Sequence, residues 1–175
     1  PAIVFMHELG HTLGLTHGGC PTCGDELFKP NYISVMNYSY SRVRPEWPTG
    51  FTNGLFLDYS RAKLDSLNEQ SLNEALGFGT VDAITANRPV IWAHPPTTTF
   101  EGLRHLTGRR GIATAGSLPD WNLNGTADLQ PVAVNLNSLL DVPFVPGGET
   151  PANEVLDGFD DWSNLDFSAP VLDGE

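Results

Sequence analysis

Residues 7 to 17 read HELGHTLGLTH, with histidines at 7, 11 and 17 and a glutamate at 8. On a helix, His7 and His11 project from one face on successive turns, close enough to share a Zn²⁺ at about 2.0–2.1 Å each. Glu8 follows the first histidine, which aims its carboxylate beside the metal, where it can take a proton from water. The third ligand has to arrive from another direction, because three side chains on one helical stripe cannot satisfy a tetrahedron. Gly14 allows the chain to leave the helix in a left-handed conformation, and His17 can then turn back towards the metal. Three neutral imidazoles leave a fourth position for water, the pattern of a catalytic rather than a structural zinc site. At this chain's own residue frequencies the H-E-x-x-H-x-x-G-x-x-H pattern would arise by accident roughly twice in 100,000 such chains.

The elements that must position these groups are read from pattern. Residues 2–16, AIVFMHELGHTLGLT, carry apolar Ile3, Val4, Met6, Leu9, Leu13 and Leu15 on most sides and predict a buried helix. SVMNYSYS at 34–41 predicts a tight turn. Leucines at 64, 67, 72 and 76 in SRAKLDSLNEQSLNEAL, closed by glycines, predict one helix or two short ones over 60–76. VDAITANRPVIW at 81–92 predicts a short strand pair, and the segment from 94 to 119 reads mostly as loop. The segment after 138 is rich in Asp, Pro and Gly and ends in LDGFDDWSNLDF and a frayed terminus.

HELGHTLGLTH resembles the extended zinc motif of the metzincin metallopeptidases, and SVMNY at 34–38 resembles the methionine turn beneath the zinc in that clan. The resemblance implies that Met36 is an apolar floor under the imidazoles, and that Tyr38 is the tyrosine that binds zinc or stabilises an oxyanion in astacin-like and serralysin-like members. It implies an α+β, loop-rich fold: residues 1–80 as the lower, C-terminal subdomain of a metzincin-like catalytic domain, with active-site helix, methionine turn and C-terminal helix, and an irregular Asp/Asn-rich region over 81–175. In that clan an upper subdomain precedes the zinc helix; with six residues before His7, the sequence reads as a piece of a longer protein whose upstream part is missing. Residues 40–56 are where the resemblance places the walls of the S1′ pocket.

A second cation site is expected at Asp120, Asn122, Asn124, Thr126 and Asp128, which match the first nine positions of a calcium loop, with Gly125 at the sharp turn. Position 12 is Pro131, so a further ligand has to come from elsewhere: Asp157, Asp160, Asp161, Asn135 or Asn137. A turn rich in Asx residues is the competing reading. The run DWN-x-NG, VNLN and DDW-x-NL resembles the C-terminal part of bacterial secreted proteins that carry this zinc motif.

The formal charge of −12, with Lys plus Arg at 9, argues against nucleic acid and against an anionic membrane surface as partners. No apolar run reaches the roughly 20 residues needed to span a bilayer. Cys20 and Cys23, in GGCPTCG, lack a second pair for a four-cysteine zinc site and read as a loop disulfide or as free thiols. His94 and His105 have no partners at ligand spacing, the tryptophans read as packing residues, and the pair Asp160-Asp161 alone reads as a solvated turn. The function expected is a secreted, monomeric zinc endopeptidase acting on protein or peptide substrates and stabilised by calcium. The alternative is a catalytically incompetent fragment or extracellular metal-binding module.

Overall fold

The computed structural model describes residues 2–20, 26–40, 57–93, 110–137 and 154–168. Cys23, His94, His105, most of the 40–56 segment and the stretch 138–153 lie outside the described residues.

Helix α1 spans Ala2–Thr12, four residues shorter than the sequence pattern predicts. It ends in a Schellman arrangement: Gly14 adopts φ +85°, its amide donates to the His11 carbonyl at 3.2 Å, and the Leu15 amide donates to the Gly10 carbonyl at 3.0 Å. The helix is not buried all round. His7 and Gly10 face inward, while Val4 and Phe5 are 61% and 67% exposed.

The leucine pattern over 60–76 does not produce a helix. Leu67–Asn68 form strand β1, and the following backbone pairs with distant segments instead of with itself. The Leu72 amide donates to the Val132 carbonyl at 2.8 Å, the Val134 amide to the Glu69 carbonyl at 2.9 Å, and the Glu69 amide to the Glu154 carbonyl at 3.0 Å. Asn68 and Asn73 accept from the amides two residues on, Gln70 and Ala75, closing local turns that compete with helix. Leu64, Leu67 and Leu72 still point inward, but Leu76 is 70% exposed.

The expected strand pair over 81–92 is also redistributed. Its first half is a 3₁₀ turn, Thr85–Asn87, fastened by the Asp82 carboxylate. Only β2, Pro89–Ala93, is extended, and its antiparallel partner is β3, Arg110–Thr114, inside the segment read as loop. Gly111 lies opposite Trp92, whose indole fills the space a side chain at 111 would need. A second antiparallel pair joins β1 to β4, Val155–Leu156. The architecture is α+β with small two-stranded sheets and little regular structure.

The main core gathers Ile33, Leu64, Leu72, Trp92, Trp121 and Leu136, among others, from both sides of position 80. Trp121 meets Trp92 and Phe78 edge to face at 5.1 and 5.0 Å, so these two tryptophans are packing residues. A smaller cluster of Leu15, Tyr32, Val35, Met36 and Tyr59 lies under the inner face of α1 and positions the site described next. Among the described residues, no helix is long and apolar enough to cross a membrane.

Candidate metal centre

The structure brings His7, His11 and His17 together, with one ligand atom from each within 4.8 Å of the others. Two of the imidazoles are oriented from behind. His7 Nδ1 donates to the Val35 carbonyl at 2.9 Å and His11 Nδ1 to the Leu15 carbonyl at 2.9 Å. A carbonyl only accepts, so each Nδ1 carries the proton and each Nε2 turns a lone pair inward. His11 Nε2 then lies 3.1 Å from His17 Nε2, a separation at which two nitrogens need a proton or a cation between them. Two nitrogens on a tetrahedral zinc stand about 3.3–3.4 Å apart. The donor set and spacing fit a divalent cation, with His7 buried and His11 open to solvent.

Gly14 supplies the turn that the third ligand requires, and the loop after it is closed by a bridge between Thr16 and Gly19. Glu8 is exposed on α1 beside His7. Tyr38 comes from the 34–38 turn: its hydroxyl is 2.9 Å from His17 Nε2 and its ring is 4.4 Å, centroid to centroid, from the His17 ring. Met36 is fully buried. Its sulfur lies against Gly10, where a methyl group would overlap it, so the turn is seated directly under the helix that carries two of the histidines.

Tyr59 and Phe28, which the sequence did not single out, lie beside the site, and Asp161, read from sequence as a calcium candidate or part of a solvated turn, lies behind it. Tyr59 packs beside Gly10 and donates from its hydroxyl to the Met6 carbonyl at 2.7 Å. Phe28, at φ +62°, holds a left-handed conformation that is costly for a bulky side chain, and its ring lies 6.0 Å from that of Tyr38. Asp161, far from being in a solvated turn, is fully buried. Burial pushes its carboxyl above the ordinary aspartate range, against the pull of hydrogen bonds from Ser34, Ser60 and Tyr32. Those partners are more than 100 residues away in sequence, and no local pattern at 157–162 announces them. Trp162, next to it, is 46% exposed and packs on Tyr59 at 5.8 Å.

The 120–128 loop also closes, through its own hydrogen bonds. Asp120 accepts from the Asn124 and Gly125 amides at 3.0 and 2.7 Å. Asn122 and Asn124 donate to Asp128 Oδ2 at 2.7 and 2.9 Å, and Thr126 donates to Asn124. Buried Glu74 accepts from the Trp121 and Asp128 amides at 2.8 and 2.7 Å, tying both ends of the loop to the core. The further ligands expected from 157–161 are engaged elsewhere: Asp157 with Ser66, Asp160 with Ser163, and Asp161 as above. Asn137 donates to Glu154.

Cys20 is disulfide-bonded, which decides between the loop disulfide and free thiols. No protein-family model, curated protein or solved structure matches the chain.

Proposed function

We propose that the protein is a zinc-dependent endopeptidase of metzincin type, with α1 as its active-site helix and residues 34–38 as its methionine turn. The observation that supports this most is the convergence of His7, His11 and His17 on one point, with Tyr38 beside it and Glu8 on the same helix. When bound, zinc supplies Lewis acidity, lowering the pKa of water towards about 7 and polarising a carbonyl. Glu8 accepts the proton of the attacking water and passes it to the leaving amine. Tyr38 donates to the oxygen that gains charge as the carbonyl is attacked. The Val35 and Leu15 carbonyls keep His7 and His11 in the tautomer that binds.

The disulfide at Cys20 supports an extracellular setting, where such bonds persist. The 120–128 loop is read as a calcium site that stabilises the chain, and the partner as a protein or peptide substrate met by a monomer.

The test combines metal analysis with cleavage of casein, on the wild type and on Glu8→Gln and His11→Ala. One zinc per chain in wild type and Glu8→Gln, none in His11→Ala, and cleavage by the wild type alone is expected. Casein cleavage by Glu8→Gln at the wild-type rate would refute its role. Zinc without any cleavage would favour the non-catalytic metal-binding module.

A further inference from the structure

We propose that Asp161 is a positioning residue of the metal centre, holding the 34–38 turn and the loop before His17 in the places from which the histidines converge. The inference rests on the metal-centre reading above. It comes from where the Asp161 hydrogen bonds lead. Oδ2 accepts from Ser34 Oγ at 2.5 Å and from the Ser60 amide at 3.0 Å, and Oδ1 accepts from the Tyr32 hydroxyl at 2.7 Å. The Asp161 amide in turn donates to Ser60 Oγ at 3.1 Å.

From Ser34 the path is short. Ser34 Oγ, having donated to Asp161, accepts from the Met36 amide at 3.0 Å. Between them in sequence, Val35 presents the carbonyl that receives His7 Nδ1. Fixing Ser34 and Met36 fixes the direction of that carbonyl, and hence which nitrogen of His7 faces the metal. Tyr32 reaches the second loop by contact: its hydroxyl, whose one proton goes to Asp161, lies 3.4 Å from the Thr16 carbonyl, on the residue before His17.

The rest of the 159–166 segment backs the same loop. Phe159 fills the space beside Gly19, at φ +88°, so closely that no side chain fits there. The Asp166 amide donates to the Leu13 carbonyl at 3.0 Å. A carboxylate taken wholly out of water is costly to keep, and here its acceptors are spent on groups one step behind two of the ligands. Outer partners of this kind typically change metal affinity about 10–100-fold when removed.

Co²⁺ titration followed by visible absorption tests this on the full chain, for wild type, Asp161→Asn, Ser34→Ala and Glu74→Gln, with thermal melts in parallel. Glu74 is another buried carboxylate, tied to the 120–128 loop, and controls for loss of stability alone. The expected result is Co²⁺ binding weaker by about 10–100-fold in Asp161→Asn, with shifted absorption bands, the same direction in Ser34→Ala, and wild-type binding by folded Glu74→Gln. Wild-type affinity and bands in folded Ser34→Ala and Asp161→Asn would overturn the proposal. If Asp161→Asn fails to fold, wild-type binding by Ser34→Ala alone overturns it, as does equal weakening in Glu74→Gln. A folded wild type that takes up no Co²⁺ would instead remove the metal-centre reading, and the proposal with it.

Discussion

A methyl group on Gly10 would overlap the Met36 sulfur and fall 3.0 Å from Tyr59 Cε1, so the helix has no room for one there. Alanine is normally favoured over glycine in a helix interior by about 1 kcal/mol. Here that gain is set against overpacking, which costs about 1–3 kcal/mol in a core that cannot give way, and Met36 is fully buried. Gly10→Ala is therefore expected to be destabilised by ~1 kcal/mol, read as a lower urea midpoint at unchanged slope. A raised midpoint would mean that Met36 moves aside.

Glu8 carries the proton in the proposed mechanism, is exposed, and among the described residues makes no side-chain hydrogen bond or ion pair. Glu8→Gln should lower kcat/KM for a peptide substrate by about 10²–10⁴, leave zinc content and the thermal midpoint as in wild type, and show its loss mainly in kcat.

The Tyr38 hydroxyl stands 2.9 Å from His17 Nε2, a nitrogen proposed to bind the metal. Tyr38→Phe keeps the ring that packs on His17 and removes only the donor. Its kcat should fall by about 10²–10³, the size of effect seen when an oxyanion donor is removed, with KM nearly unchanged. An equal loss of zinc affinity would assign the hydroxyl to metal binding instead.

Glu69 is buried, its carboxylate accepting from the Leu136 amide at 2.7 Å and the Glu154 amide at 3.3 Å. Burial raises its pKa above the ordinary glutamate value, with Glu154 adding to the rise. The folded state therefore holds this proton more tightly than the unfolded chain. The contribution to stability is full below the unfolded pKa and is lost as pH rises through the folded one. The stability of wild type minus that of Glu69→Gln should accordingly be largest near pH 4 and shrink towards pH 8, as denaturant melts across that range would record. A difference that grows with pH would contradict the assignment.

If the 120–128 loop takes calcium, millimolar calcium should raise the thermal midpoint of the wild type and leave Asp120→Ala and Asp128→Ala unmoved. At a hundredfold excess over Kd the gain is about 2.7 kcal/mol. No shift in the wild type would leave the loop as an Asx-rich turn closed by its own hydrogen bonds.

The sequence was most legible where chemistry is local. Histidines four apart on a helix, a glycine that must leave it and a third histidine three residues on have their relation written into the spacing, and Gly14 takes the left-handed turn as expected. The tight turn at Met36 was legible too. What the spacing could not convey was pairing at a distance. The leucines at 64, 67 and 72 are buried as their pattern suggests, yet by backbone partners at 132–134 and 154, not by a helix of their own. Strand β2 was visible, while its partner β3 was hidden in a glycine- and arginine-containing stretch that reads as loop. Asp161 was misread for the same reason: an acidic residue in a turn looks solvated until the residues that bury it are known.

The backing of the Thr16–Gly19 loop by Phe159 and Asp166 sets an order of events during biosynthesis. The histidines leave the ribosome before the residues that cradle their loop, which emerge roughly 7–30 s later at about 5–20 residues per second. For that interval the nascent chain carries the three histidines without the residues that back their loop, so the proposed metal centre would form only after the 159–166 segment has emerged.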